Sequence, residues 1–361
     1  GHLSLNIELY LQEKKISNKK SFDLFIKKNE EISNNYLYTL VKKKLFVISS
    51  IYSGIFIINS KFKIFEVIVR ENSQKKDNDR DLLFLLENKQ IELKPSKTQI
   101  NKCQNFLESI GVNFKENQKI VTIIVRDKAY GLKYKKRDES YKDYSNNNIE
   151  NYKKTIEYLI NQGFFVIRMG KLTENKIELK NKNYFDYSHY NEKKSYLDIL
   201  LVYFSEFMIS GHGGLDALAV VFRKPILYTN FTPIGNWFTF YKYSIHTFKD
   251  HYSQKLNKIL SIKEIFDLNL AMCFRTNIFL ENKIILIENS EEEILNATKD
   301  LLIYINNNFI LSEEDKRFQK KFFDLYKNCI KKHNLENHHG KEFKTKISST
   351  FIKKRKNFIF D

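Results

Sequence analysis

The sequence predicts an α/β protein in which helices cover a parallel sheet. Three observations point there. From residue 119 onward, short apolar runs ("KIVTIIVRD", "FFVIRMG", "EFMIS", "KPILYTN") alternate with helical patterns ("NNNIENYKKTIEYLINQGF", "SYLDILLVYF", "LDALAVVF"). The joining loops are short, as in strand–helix–strand units. Each apolar run ends in polar or glycine residues: Arg126–Asp127, Arg168–Gly170, Ser210–Gly214 and Thr229–Asn230. Parallel sheets bind ligands beyond the carboxyl ends of their strands, where those residues fall.

Taken in order, "GHLSLNIELYLQEK" reads as a loop and a helix with Leu5, Leu9 and Tyr10 on one face. "SFDLFIKK" and "KLFVISSIYSGIFIIN" have the β-branched texture of strands. "KPSKTQINKCQNFLESIGVNFKENQK" predicts a helix capped by Ser96 or Thr98 and stopped at Gly111, then a polar linker. In the next helix Ile149, Tyr152, Ile156 and Leu159 recur at helical spacing, and Gly163 marks its end. "NYFDY" is a short extended piece. "SEEDKRFQKKFFDLYKNCIKKH" is a charged amphipathic helix opened by Ser312. No internal repeat is visible.

A chain of 361 residues, 42% hydrophobic and 14% aromatic, suits two domains of ordinary size and excludes wholesale disorder. No apolar run approaches the roughly 20 residues that span a bilayer. Cys103, Cys273 and Cys329 lack C-x-x-C spacing and are too few for a disulfide framework, which favours a reducing cytoplasm. The net charge of +18 is spread along the chain without a zinc-finger or RNA-binding motif, so nucleic acid is not expected as a partner. Such a surface suits phosphorylated ligands and an anionic membrane.

Three of the eleven glycines fall within residues 211–214 of "ISGHGGLDALAVVF". They mark either a turn needing positive φ or a phosphate cradle at a helix start. The blocks "GHLSLNIELYL", "VRDKAY", "YSNNNIENYKKTIEYLINQGFFVIRMGK", "DYSHY", "YLDILLVYFSEFMIS", "GLDALAVVFRKPILYTNFTP" and "EEDKRFQKKFFDLY", in this order, resemble the glycosyltransferases of bacterial surface-polysaccharide (O-antigen and capsule) gene clusters.

The resemblance implies a GT-B arrangement of two Rossmann-like domains facing a cleft. Residues 1–115 would form the acceptor side, 116–311 the nucleotide-sugar donor side, and helices in 312–361 would pack back. It implies a nucleotide-sugar donor, a glycan or lipid-linked acceptor, and work in the cytoplasm at the inner face of the membrane. Where the family often has His, this chain has Ile124; where many members carry Ser or Thr, it has Gly211 and His212.

Candidate donor contacts are Arg126, Tyr130, Arg168, Gly170, Lys171, Ser210, Gly211, His212, Gly213, Gly214 and Asp216. Arginines fork onto phosphate oxygens, and a helix start adds backbone N–H groups. Tyr144 is a further candidate for stacking on a base. Inverting transfer needs a general base, for which Asp127, His2 and Glu8 compete; only the histidine has an ordinary pKa, ~6.5, that suits the task untuned. "DNDRD" at 77–81 holds an Asp-x-Asp, but a helix-start acid cluster explains it as well. His338–His339 reads as a solvated pair. No metal cofactor is therefore expected. A nucleotide-sugar epimerase on the same architecture and a non-catalytic basic binding protein are the competing readings.

Overall fold

The computed structural model describes residues 3–17, 23–27, 32–49, 80–87, 90–129 and 140–355; His2, Tyr130 and Asp79 lie outside them. Helix α1 (Leu5–Ser17) is followed by β1 (Leu24–Lys27), α2 (Asn35–Lys42) and β2 (Phe46–Ser49). The two strands pair in parallel, Leu24 opposite Phe46, so β1–α2–β2 forms a small strand–helix–strand unit. Helix α3 (Lys97–Ser109) is capped by Ser96, whose hydroxyl accepts the Gln99 N–H.

The main sheet then builds from β3 (Ile120–Val125), α4 (Lys153–Asn161), β4 (Phe165–Met169), β5 (Tyr184–Asp186), α5 (Ser195–Phe204), β6 (Phe207–Gly211), α6 (Asp216–Val221), β7 (Ile226–Phe231) and β8 (Ser244–Phe248). After it come β9 (Asp250–Ser253), β10 (Lys258–Ile259), α7 (Ile262–Asp267), α8 (Thr276–Glu281), β11 (Ile284–Ile287) and α9 (Glu291–Asn306). The chain continues through α10 (Glu313–Lys332), α11 (Glu336–His339), β12 (Lys346–Ile347) and α12 (Ser349–Lys354).

Seven strands form one sheet in the order β12-β8-β7-β6-β3-β4-β5, and every pairing in it is parallel. From β5 to β8 this is the order 3-2-1-4-5-6 of a doubly wound fold. Both faces are covered, which is why β3 reads as an unbroken apolar run, all six residues buried. Its side chains still alternate. Val121, Ile123 and Val125 join Tyr152, Ile156 and Leu159 beneath Ile294, Ala297 and Leu301 of α9. Ile120 and Ile124 belong to the opposite core with α3, α5 and α6.

The described N-terminal helices feed that second core: α1 packs on α6, and α2 and α3 pack on α5. Glu8 of α1 is fully buried. Its carboxylate accepts the Glu92 N–H at 3.1 Å and 3.2 Å, the Leu93 N–H at 3.1 Å, and the Arg223 guanidinium at 2.9 Å. The buried network gives Glu8, considered from sequence as a base, a structural task.

The C-terminal segment packs onto the sheet around Trp237, which is fully buried. Rings of Phe322, Tyr326 and Phe343 lie 5.6, 5.2 and 5.7 Å from it. His338 and His339, expected in solvent, are buried here. His339 Nε2 lies 3.0 Å from the Gly235 carbonyl, and burial pushes its imidazole down to about 2. Asp81 acts as a local cap, accepting the Leu85 and Leu86 N–H groups at 2.7 Å.

Candidate functional site

The strand order reverses between β3 and β6, whose ends stay joined by the Arg126 N–H donating to the Gly211 carbonyl at 3.0 Å. Just beyond β3 lies a cleft of about 590 Å³. Its polar lining includes Asp127, Lys128, Asn147, Glu174, Lys249 and Glu288, and its apolar lining includes Ile149, Phe279, Leu280 and Ile284–Leu286 with Tyr144. The Ser210–Gly214 turn is not part of this lining. Doubly wound sheets take their ligands beyond the carboxyl ends of their strands, the side on which this cleft lies.

Lys249 is the site's buried cation, its side chain 4% exposed. Its ammonium donates to the Asn146 carbonyl at 2.5 Å and stands 3.8 Å from the Glu288 carboxylate. Burial pushes the amine down to about 8, against the pull of Glu288. Glu288 is fixed by the Asn148 N–H at 2.9 Å and the Asn151 amide at 3.1 Å. Behind it Asn230 and Asn289 bond reciprocally, N–H to side-chain oxygen, at 3.1 and 2.5 Å. Lys249 and Glu288 escaped the sequence reading.

Asp127 lies in the cleft as expected from its strand-end position. Its two oxygens accept the Ala129 N–H at 3.0 Å and the Glu174 N–H at 2.8 Å. Each carboxylate oxygen retains acceptor capacity for a substrate hydroxyl. Arg126 lies close enough to Tyr144 and His212 to act on the ionisation of both. Tyr144 forms part of the cleft with Phe279, ring centroids 6.2 Å apart, and burial raises its phenol to about 12, so it stays protonated.

Arg168 departs from expectation. Only 1% exposed, it pairs with Asp186 at 3.3 Å and donates to the Asn175 carbonyl at 2.6 Å. The guanidinium thus holds the loop that carries Asn175 into the cleft. Gly170, at φ +155°, closes against Thr173 and Ser188. Lys171 is exposed, and its carbonyl accepts Lys193 at 3.2 Å.

The glycine turn answers its question in an unexpected way. The positive φ, +59°, belongs to His212; Gly211, Gly213 and Gly214 are absent from that region. Gly211 is required by close approach: a Cβ there would lie 2.5 Å from the Tyr152 hydroxyl. At Gly213 it would lie 2.4 Å from Ile124 Cδ1 and 2.6 Å from Cγ1. Ile124 is thus the partner that demands a glycine. Gly214 is exposed. Ser210 donates to Asp216 at 3.3 Å and accepts the Gly213 N–H at 3.4 Å, so the turn is closed by its own side chains. The helix it opens, α6, has only six residues.

Gly213→Ala is expected to lose about 1–3 kcal/mol of stability by overpacking. Adding Ile124→Ala should return part of that loss in chemical denaturation. Equal losses in both backgrounds would show that Ile124 is not the reason for the glycine.

His212 accepts the Thr232 N–H through Nε2 at 3.1 Å, so the proton of the neutral ring sits on Nδ1. Its ring lies 4.6 Å from Phe231. Desolvation, then Lys249 and Arg126, pushes the imidazole down to about 3. At neutral pH His212 brings an N–H dipole and no charge.

No family model matches the chain, and no curated protein matches it. Among solved structures, the chain is similar to the crystal structure of the glycosyl transferase family 9 from Veillonella parvula, with 12% identity and a TM-score of 0.40 over 84% of this chain and 79% of that one.

Proposed function

We propose that the protein is a glycosyltransferase that moves a sugar from a nucleoside-diphosphate sugar to a hydroxyl of a glycan or lipid-linked acceptor. The observation that carries this reading is the position of the cleft. It lies beyond the carboxyl ends of a 3-2-1-4-5-6 sheet, lined by segments that follow β3, β4 and β8, and it brings a buried ammonium together with aromatic and aliphatic side chains. In this reading the base rests on the wall of Tyr144 and Phe279, and Lys249 and Arg126 face the diphosphate. The Gly211–Gly214 turn with Ser210, His212 and Asp216 lies alongside.

Charge grows on the leaving diphosphate during transfer, and preorganised cations stabilise it. Asp127 accepts the proton of the acceptor hydroxyl. Arg168, Gly170 and Lys171 shape the loop that brings Glu174 and Asn175 to the rim. Residues 1–115 form the acceptor-side domain of a GT-B pair, and the reaction needs no metal.

Thermal unfolding in the presence of a panel of nucleoside diphosphates tests this reading. A ligand at a hundred times its Kd stabilises by about 2.7 kcal/mol. One nucleoside diphosphate should raise the midpoint of the wild type and of Arg317→Ala alike, with or without EDTA. No shift with any of them would remove the donor site. A shift that EDTA abolishes and Mg²⁺ restores would overturn the metal-free mechanism. Release of the nucleoside diphosphate only when a hydroxyl acceptor is added separates transfer from epimerisation.

A further inference from the structure

The small antiparallel sheet carries an uncovered apolar row. Its strands run β10-β9-β11, and Ile259, Tyr252 and Ile285 are direct partners across it. Paired residues project from the same face, and Ile287, two positions beyond Ile285, shares that face. Ile259, Ile285 and Ile287 are 46%, 46% and 42% exposed, and Leu256 in the β9–β10 turn is 56% exposed. On the inner face Ile284 is buried in the core and Leu286 packs against it. Strand β11 is therefore apolar on both sides. Single exposed isoleucines are ordinary, whereas a contiguous row marks an interaction surface.

The surrounding charge indicates what the row faces. Lys255 adjoins Leu256, and Lys283 leads into β11; the Gln254 N–H donates to the Lys283 carbonyl at 3.0 Å, which brings the two lysines to one end. At the other end Ile287 pairs with Asp250. Asp250 is held by Arg355 at 2.8 and 2.9 Å, which places Lys354 nearby. Lys255, Lys283 and Lys354 are exposed, and none enters an ion pair among the described residues. The nearby acids are mostly engaged: Asp250 and Glu293 by Arg355, Glu264 by Lys258. Glu281 accepts a hydrogen bond from Asn277.

We propose that this face seats the protein on an anionic bilayer, with Leu256 and the three isoleucines entering the headgroup region and the lysines on lipid phosphates. Among the described residues no helix is long and apolar enough to cross a membrane, so the contact is interfacial. Leu280 and Ile285 also line the cleft, so the same seating turns the cleft mouth toward the lipid. The proposal does not rest on the sugar-transfer reading.

Co-sedimentation of the full chain with phosphatidylglycerol vesicles and with phosphatidylcholine vesicles tests it. The wild type should bind the anionic vesicles. Two double variants, Ile259→Ser with Ile287→Ser and Lys255→Glu with Lys283→Glu, should each bind them about tenfold more weakly or worse. None of these four residues lines the cleft, so circular dichroism and the thermal response to nucleoside diphosphates should match the wild type. Wild-type binding that either variant retains in full overturns the proposal. So does a wild type that ignores lipid but forms a dimer that the isoleucine variant splits; the row would then be a self-association face.

Discussion

Replacing Glu8 with alanine is expected to cost about 3–5 kcal/mol of folding stability, the usual penalty for removing one partner of a buried ion pair. The change leaves the Glu92 and Leu93 N–H groups without their acceptor and strips the Arg223 guanidinium of its carboxylate. Arg223 also donates to the Gln90 carbonyl at 3.1 Å. The same knot therefore ties α1, the 90–93 segment and the end of α6 together. Glu8→Gln should also destabilise, because an amide supplies no charge to Arg223 and can direct N–H groups at other donors. Urea denaturation reads both losses. A Glu8→Gln protein as stable as the wild type but inactive in transfer would return Glu8 to the role of base.

Lys249→Ala is expected to weaken nucleoside diphosphate binding about ten- to a hundredfold, the loss of a charge-assisted hydrogen bond worth about 1.5–3 kcal/mol. Folding should move the other way. Taking an ammonium out of water is costly, and the alanine variant carries no charge to bury. The sign with pH follows from the lowered amine. Its folded value, about 8, lies below the ordinary 10.5. In the empty protein the charged form thus opposes folding below pH 8, and that cost fades as pH rises toward the ordinary value. An anion beside the amine does the reverse, favouring the charged form.

The sheet was legible in the sequence because its central strands are buried on both faces: the apolar runs of β3, β4, β6 and β7 stand out by composition alone. Strand β8 did not stand out, since it buries Ser244, His246 and Thr247 among its five residues. β9 is as polar, carrying Asp250 and His251. β12 has two residues, too few for a pattern. Helix α9 went unread although it opens on a capping box of Ser290 and Glu293.

The end of β3 puts Asp127 on the cleft, whose lining does not include Arg126. Composition could not tell that Arg168 turns inward to Asp186, because that partner is set by β5 pairing beside β4. Lys249 is one of 61 lysines and arginines. What distinguishes it is burial, a property of the fold that spacing does not encode. The glycines of the turn stood out by composition, but what demands them is Ile124 on the neighbouring strand and Tyr152 at the start of α4, distant in sequence and adjacent in space.

In the proposed transfer the cleft beyond β3 holds the donor diphosphate against Lys249. Calorimetric titration of a stabilising nucleoside diphosphate from pH 7 to pH 9, on the wild type and on Lys249→Arg, decides whether it does. Arginine stays charged throughout this range. The wild type should lose affinity above pH 8, by at most about tenfold per pH unit for one proton, while Lys249→Arg holds a flat profile. Identical profiles for the two proteins, with equal affinity at pH 7, would contradict the claim and place the diphosphate elsewhere.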